Sequence, residues 1–296
     1  MKKTDHMKSL IRFLIIGIIL ISTINITYSQ EEEKDKRPVR APFESGYLID
    51  NQTVQIFPKN TLELVIHHRF GTIENGKEDL WGLYAPSNIR FGFNYSILDN
   101  LMIGIGTTKN KKYQDIQWKY NIFQQTRSGS TPVGITYFGN IAFDARSEDV
   151  LGTSVNTVKR MSYFNQLIIT KKFNDFLSIQ VAPSITHFNL VDSLAEHDKI
   201  GISVGGRYKF SAQTSFIFNY DHPLVLENIQ EHTTLLYEPK PNISFGIEFS
   251  TSTHAFQIFL ATAAGIINQE NMMYNFNEFN NEGILLGFNI TRLWSF

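Results

Sequence analysis

From Thr61 to the last residue the chain keeps a period of two, in strand-length pieces separated by polar turns. TLELVIHHRF (61–70) puts Leu62, Leu64, Ile66, His68 and Phe70 on one face and Glu63, His67 and Arg69 on the other, with Val65 the apolar exception. SNIRFGFNYS (87–96) sets Ile89, Phe91, Phe93 and Tyr95 against Arg90, Gly92, Asn94 and Ser96. DIQWKYNI (115–122) sets Ile116, Trp118, Tyr120 and Ile122 against Asp115, Gln117, Lys119 and Asn121. The habit recurs at 101–107, 133–144, 161–173, 177–188, 199–210, 214–221, 241–250, 254–263 and 283–296, which makes twelve strand candidates. Side chains alternate faces along a strand, so each piece is a strand with one apolar face. The piece at 161–173 is the least regular, because Phe164 and Ile168 fall on its polar face.

Alternation alone also suits a soluble sandwich. The connections separate the two. LDN, ND, SAQ and TST join alternate pairs of pieces, and QQTRSGSTP is somewhat longer. The other links are mostly long and polar, with 222–240 and 264–282 the longest. Tight turns on one rim, longer loops on the other and an even strand count are the habit of a transmembrane barrel, with periplasmic turns and extracellular loops. A sheet in lipid must also close, because an open edge leaves backbone groups unpaired. The fold class expected is therefore all-β: a closed antiparallel transmembrane β-barrel of twelve strands, residues 58–296, with both chain ends on the periplasmic side.

The two ends of the chain support an exported barrel. Lys2, Lys3, Lys8 and Arg12 precede the apolar run FLIIGIILI, and Thr27 and Ser29 supply small residues before a cut. Residues 1–29 read as a signal peptide with Gln30 first after cleavage. The run is about half of the ~20 residues that a spanning helix needs. Residues 30–57 read as a periplasmic leader or a plug: the charge run EEEKDKRPVR is solvated, and 41–57 is a short strand or a segment tucked into the end of the fold. At the other end GFNITRLWSF stops on an aromatic, where soluble domains usually fray. Strand twelve must pair with strand one, so the chain is expected to end inside the ladder. Trp294 and Phe296 then fall in the periplasmic aromatic girdle and resemble the C-terminal signal read by the barrel assembly machinery.

Composition removes several functions. There is no cysteine, so disulfides, thiol catalysis and cysteine-held metals are excluded, and a net charge of −1 gives a nucleic-acid partner no support.

QTVQIFPKNTLELVIHHRFGTIENG, SNIRFGFNYSILDNLMIGIG and HAFQIFLATAAGI together resemble an outer-membrane β-barrel family of unknown function, common in Bacteroidota-type genomes. The resemblance covers roughly the whole chain after residue 29, and HHRFG at the end of the first strand is its most specific piece. Gene context of the family implies a setting among periplasmic cytochrome and lipid-binding-type proteins. The resemblance supplies no catalytic residues.

The inward parity collects polar residues that a lumen would hold: Glu63, His67, Arg69, Arg90, Asn94, Lys119, Asn121, Asp144, Arg207, Lys209, Asp221 and Glu248. Charges avoid lipid, so a structural role explains them as readily as a pore or ligand cavity. His67 and His68 point to opposite faces and cannot share an ion, so no metal or other cofactor is expected. Ser162, Ser178 and Ser203 have no neighbouring His, and GISVG at 201–205 lies mid-strand, so a hydrolase is not expected. The Asn- and aromatic-rich segment 267–283 reads as a solvated extracellular loop, the alternatives being a cover over the mouth or a sugar-binding surface. The inward glycines, among them Gly201 and Gly205, leave room for solvent or for a plug. The functions expected are porin-like passage of a small or hydrophobic solute, then a non-conducting barrel that anchors a periplasmic complex. The partners expected are outer-membrane lipid, the assembly machinery and a periplasmic protein.

Overall fold

The computed structural model describes residues 35–192, 195–226, 231 and 238–296; the expected signal peptide and residues 30–34 lie outside them. Twelve antiparallel strands close on themselves. In chain order they are β3 (Thr61–Thr72), β4 (Asn88–Leu98), β5 (Leu101–Thr108), β6 (Gln114–Phe123), β7 (Gly134–Phe143), β8 (Met161–Lys172), β9 (Leu177–Phe188), β10 (Asp198–Lys209), β11 (Thr214–Pro223), β12 (Asn242–Ser250), β13 (His254–Ala261) and β14 (Leu285–Ser295). Each of the twelve predicted strands is present. Before them stand two short strands, β1 (Tyr47–Leu48) and β2 (Asn51–Gln52), paired as a separate hairpin.

The seam is β14 against β3. Ile290 faces Ile66, Trp294 faces Leu62 and Ser295 faces Thr61, and the Phe296 amide donates to the Asn60 carbonyl at 3.0 Å. The last residues therefore close the ladder, as the alternation of GFNITRLWSF requires. Backbone pairing around the whole ring leaves no strand edge.

Parity sorts the two faces as the sequence predicts. Outward positions form an apolar belt: Ile105 and Ile116 are each 60 % exposed, and Phe93, Tyr120, Phe216 and Ile258 stand out beside them. Inward positions are buried and mostly polar. The departures in β8 have a cause. Phe164 and Ile168 point inward and pack with Phe138, Ala182 and Met272, so an apolar patch in the lumen receives a segment from the loop after β13.

The links also sort. Short turns follow β4, β8, β10 and β12, and a longer one follows β6; longer links follow β3, β7, β9, β11 and β13 on the other rim. We refer to the short-turn rim and the long-loop rim. Among the described residues two α-helical pieces lie in the long links, α1 (Glu148–Leu151) and α2 (Asn268–Tyr274). α2 is not on a solvated loop, as 267–283 was expected to be. Asn268 to Met273 are buried, because Met272 enters the apolar patch and Gln269 Nε2 donates to Asn140 Oδ1 on β7 at 2.6 Å.

Candidate functional site

The segment before the barrel runs through its interior. It is tied to the short-turn rim by a bridge between Pro38 and Thr126, and then turns inward. Phe43 and Ser45 to Val54 are buried, as strands and turn of the β1–β2 hairpin. Of the two readings of 41–57, leader strand or tucked segment, the second is nearer. The segment reaches further than the end of the fold, because its turn at Ile49–Asp50 touches α2 from the opposite rim. There Asn268 Nδ2 donates to the Asp50 carbonyl and to Asn51 Oδ1, each at 3.2 Å.

One side of the hairpin is apolar. Phe43, Leu48, Ile49 and Val54 pack with Ile217, Phe259, Ala261 and Leu285 of the wall. Complete burial of such side chains contributes about 1.5–3 kcal/mol each before the cost of ordering the segment. The inward glycines make the space. A Cβ on Gly205 would lie 2.6 Å from Leu48 Cδ2, and one on Gly201 would lie 2.5 Å from Met272 Sδ. Gly205 makes room for the hairpin and Gly201 for α2. Gly205→Ala is expected to destabilise the seated hairpin by about 1–3 kcal/mol through overpacking. Leu48→Ala in the same chain should recover part of that loss, and a double-mutant cycle on hairpin protection from protease measures the coupling.

The other side is held by polar groups of the wall. Arg69 Nη2 and Asp50 Oδ1 form an ion pair at 2.6 Å, with side chains 0 % and 1 % exposed. Arg69 Nη1 donates to Asn289 Oδ1 at 3.0 Å, and its guanidinium lies 4.5 Å above the Phe259 ring. Asp50 Oδ2 accepts from Asn242 Nδ2 at 3.0 Å. Asp221 accepts from Asn219 and Asn242 of the wall and from Asn51 of the hairpin. Glu63 accepts from Asn94 Nδ2 at 2.8 Å and from the Gly46 amide at 3.3 Å. Lys119 Nζ reaches Gln52 Oε1 at 3.2 Å and the Gly46 carbonyl at 3.3 Å. Arg207 bridges Glu248 of the wall (3.0 Å) and Glu44 of the segment (2.9 Å), and Lys209 lies 3.7 Å from Glu44.

Arg90 and Asn121 of the predicted lumen set bond chiefly to the wall, whereas His67 packs on the hairpin. Arg90 makes a two-point pair with Asp115 on the next strand but one, at 2.9 and 2.6 Å. Asn121 accepts from Thr136 at 2.6 Å and lines a 190 Å³ cavity at the short-turn rim. His67 lies edge-on to the Tyr47 ring at 4.6 Å, and its Nδ1 has no partner among the described residues. Asp144 is a correction. It lies beyond the end of β7, half-buried, where Arg146 two residues on grips it through both oxygens, so it lines the mouth and not the lumen. The parity rule ends where the strand ends.

Parity places Asp115 and Gln117 on the polar face of their strand, and the lumen set lacks them together with Gln257 and Asn289, although all four are buried inward. Gln257 and Asn289 hold the strained turn itself. The Ile49 amide donates to Gln257 Oε1 at 3.1 Å, and Asn289 Nδ2 donates to the Ile49 carbonyl at 2.7 Å. Ile49 has φ 56°, a left-handed conformation that a β-branched residue adopts at a cost of about 1–3 kcal/mol. The wall supplies the bonds that keep it there.

Above the hairpin, α2 and the long links enclose a mouth cavity of about 590 Å³. Glu270 accepts from Asn110 Nδ2 at 3.2 Å and pairs with Lys111 at 3.2 Å. Tyr274 packs edge-on to Phe188 at 5.2 Å, with Lys111 Nζ 4.3 Å over its ring. Burial, reinforced by Glu270 and Asp144, pushes the Tyr113 phenol well up. Burial with Asp192 and Glu270 pushes Tyr274 up to about 12. Both are neutral phenols at physiological pH.

A closed ladder with an apolar outer belt and a polar interior defines a membrane-spanning β-barrel, here with its lumen filled by its own N-terminal segment. The chain belongs to the family described as Membrane bound beta barrel domain (DUF5777), which it matches over residues 43–294. No curated protein matches it. Among solved structures it is similar to the NanC porin (8 % identity, 79 % of this chain and 99 % of that one, TM-score 0.48). It is also similar to the KdgM porin (6 %, 80 % and 99 %, 0.43) and to OmpT of Vibrio cholerae (16 %, 80 % and 78 %, 0.38). The architecture is that of a membrane-bound β-barrel.

Proposed function

We propose that this protein is a gated porin-like channel, closed at rest by residues 43–54 and conducting a small polar solute when that segment withdraws. The carrying observation is the mismatch between plug and wall. The hairpin fills the lumen, yet it lies against a surface polar enough to hold water without it, and several groups at their contact stay unsatisfied. Gln52 Nε2, His67 Nδ1, Gln166 Oε1 and Gln180 Oε1 are buried with no hydrogen-bond partner among the described residues. A partly satisfied polar interface is weaker than an apolar core of the same size. Such a contact suits a segment that comes and goes.

The short-turn rim is the periplasmic one by the habit of these barrels. Both chain ends then lie in the periplasm after removal of residues 1–29, and the hairpin withdraws to that side. The protein acts by passage and carries out no chemistry of its own. The test is current across a planar bilayer, for the chain from Gln30 and for the chain from Pro58. A silent full chain and a steadily conducting truncated one are expected. Conductance identical in the two overturns the gate.

The apolar cluster of Phe43, Leu48, Ile49 and Val54 favours a second reading, a permanently filled barrel that anchors a periplasmic, redox- or lipid-related partner. Silence of both forms, in protein shown to be inserted, selects it.

Trp294 and Phe296 act in this account as the signal for the assembly machinery. Phe296 is 80 % exposed, so its ring adds little to the folded barrel. Phe296→Asp should lower the amount of barrel in cell membranes several-fold and leave refolding in detergent unchanged. Normal membrane levels would contradict the assignment.

A further inference from the structure

The mouth cavity is built, not incidental, and the hairpin does not use it. Its volume of about 590 Å³ lies within the range of about 300–1,000 Å³ usual for small-ligand sites. α2 supplies one wall. The positions of that helix split by face: Gln269 and Met272 bond and pack into the barrel, whereas Glu270, Asn271 and Tyr274 line the cavity.

Asn271 is the group that calls for a ligand. It is 3 % exposed, and neither its amide nitrogen nor its oxygen has a partner among the described residues. Asn275 is 4 % exposed, lines the same cavity, and its side-chain oxygen also lacks one. Leaving such groups buried and unpaired costs about 1–3 kcal/mol each, so native structures seldom keep them without a use. An amide offering a donor and an acceptor side by side matches two adjacent hydroxyls, one accepting and one donating.

The surroundings narrow the class. Tyr274 presents an aromatic ring at the cavity, with Tyr113 and Phe276 also lining it, and such rings suit the C–H face of a pyranose. The lining charges nearly balance, with Lys111, Arg146, Lys159 and Arg160 against Asp144, Asp192 and Glu270, and two pairs are closed, Arg146 with Asp144 and Lys111 with Glu270. That arrangement neither demands nor favours a strongly charged ligand. Burial keeps Tyr113 and Tyr274 protonated, so each phenol offers a hydroxyl and no charge.

We propose that the mouth cavity binds a short uncharged oligosaccharide, with Asn271 bonding a vicinal diol and Tyr274 stacking on a ring. The site lies on the long-loop rim, and no residue of the hairpin lines it.

The test is titration calorimetry of the refolded full chain from Gln30 with maltotriose, cellotriose and chitotriose, with trigalacturonate and trialanine as comparison ligands. Saturable binding of a neutral trisaccharide is expected, weakened at least tenfold in Asn271→Ala and in Tyr274→Leu. Asn271→Ala removes no side-chain hydrogen bond among the described residues, and the heat-dependent mobility of the barrel on a gel checks that it folds. Three results overturn the proposal: no saturable binding of any neutral trisaccharide, binding of trigalacturonate or trialanine alone, or binding by Asn271→Ala equal to that of the parent. Because heat and not current is read, a chain that binds no sugar but conducts after truncation loses the site and keeps the gate. A chain that binds sugar and never conducts does the reverse.

Discussion

Arg69→Ala should raise the open probability of the full-length barrel by two to three orders of magnitude. Arg69 and Asp50 are both withdrawn from solvent, and the pair is the shortest contact between hairpin and wall for which both partners are charged. Removing one member of a buried pair costs about 3–5 kcal/mol, because the other stays charged and uncompensated. Here the loss is aggravated by position. Asn242 links Asp50 to Asp221, so without the guanidinium two carboxylates share one amide. In the proposed gate the closed state carries that penalty, whereas withdrawal of the hairpin would rehydrate Asp50. Each 1.4 kcal/mol is about a factor of ten in the equilibrium. Asp50→Asn removes the charge and keeps the shape, so it should open the channel less than Arg69→Ala does. Single-channel recording of the two variants reads this ordering directly. An Arg69→Ala channel as silent as its parent would mean that the apolar cluster alone seats the hairpin.

The second large effect is on the outer face. Ile105→Arg should reduce folding into lipid bilayers by about 2–4 kcal/mol, the cost of an Arg near the midplane of a barrel's lipid face. Ile105 lies mid-strand in β5, paired with Phe93 on one side and Ile116 on the other, and is 60 % exposed. Exposure of that size at an isoleucine flanked by two more outward apolar side chains is what a lipid contact requires. The control is the same substitution at Tyr84, which is 77 % exposed on the link after β3. Arg there meets water and should change little. Urea titration of both variants in vesicles compares them. Equal stability would remove the lipid belt from the account.

The barrel was readable because a period of two leaves few alternatives once a dozen strands share it and the links alternate in length. Even the lapse in that pattern carried information: Phe164 and Ile168 broke the polar face of β8 where α2 enters. The hairpin was hidden for a physical reason. YLIDNQ at 47–52 carries no Asn-Gly or Asp-Gly turn, and its turn is made at Ile49 with a positive φ that no isoleucine announces. What holds that turn is Gln257 and Asn289, more than two hundred residues away in sequence. A loop rich in Asn and aromatics reads as solvated unless the partners that bury it are known, and Met272 and Gln269 find theirs on β7, β8 and β9. Inward parity collected Arg69, Asp221 and Glu248, but could not say whether they faced water or a plug.

Leu48 sits inside the lumen, and under the proposed gate it leaves only when the hairpin does. The chain has no cysteine, so Leu48→Cys creates a single thiol whose reaction with a maleimide reports on access alone. Labelling should run about a hundredfold slower than at Tyr84→Cys, since it waits on local opening, and should approach the Tyr84→Cys rate when Arg69→Ala is added. A Leu48→Cys thiol that reacts from the outset as fast as Tyr84→Cys, in a barrel shown to be folded, would contradict the occluded lumen.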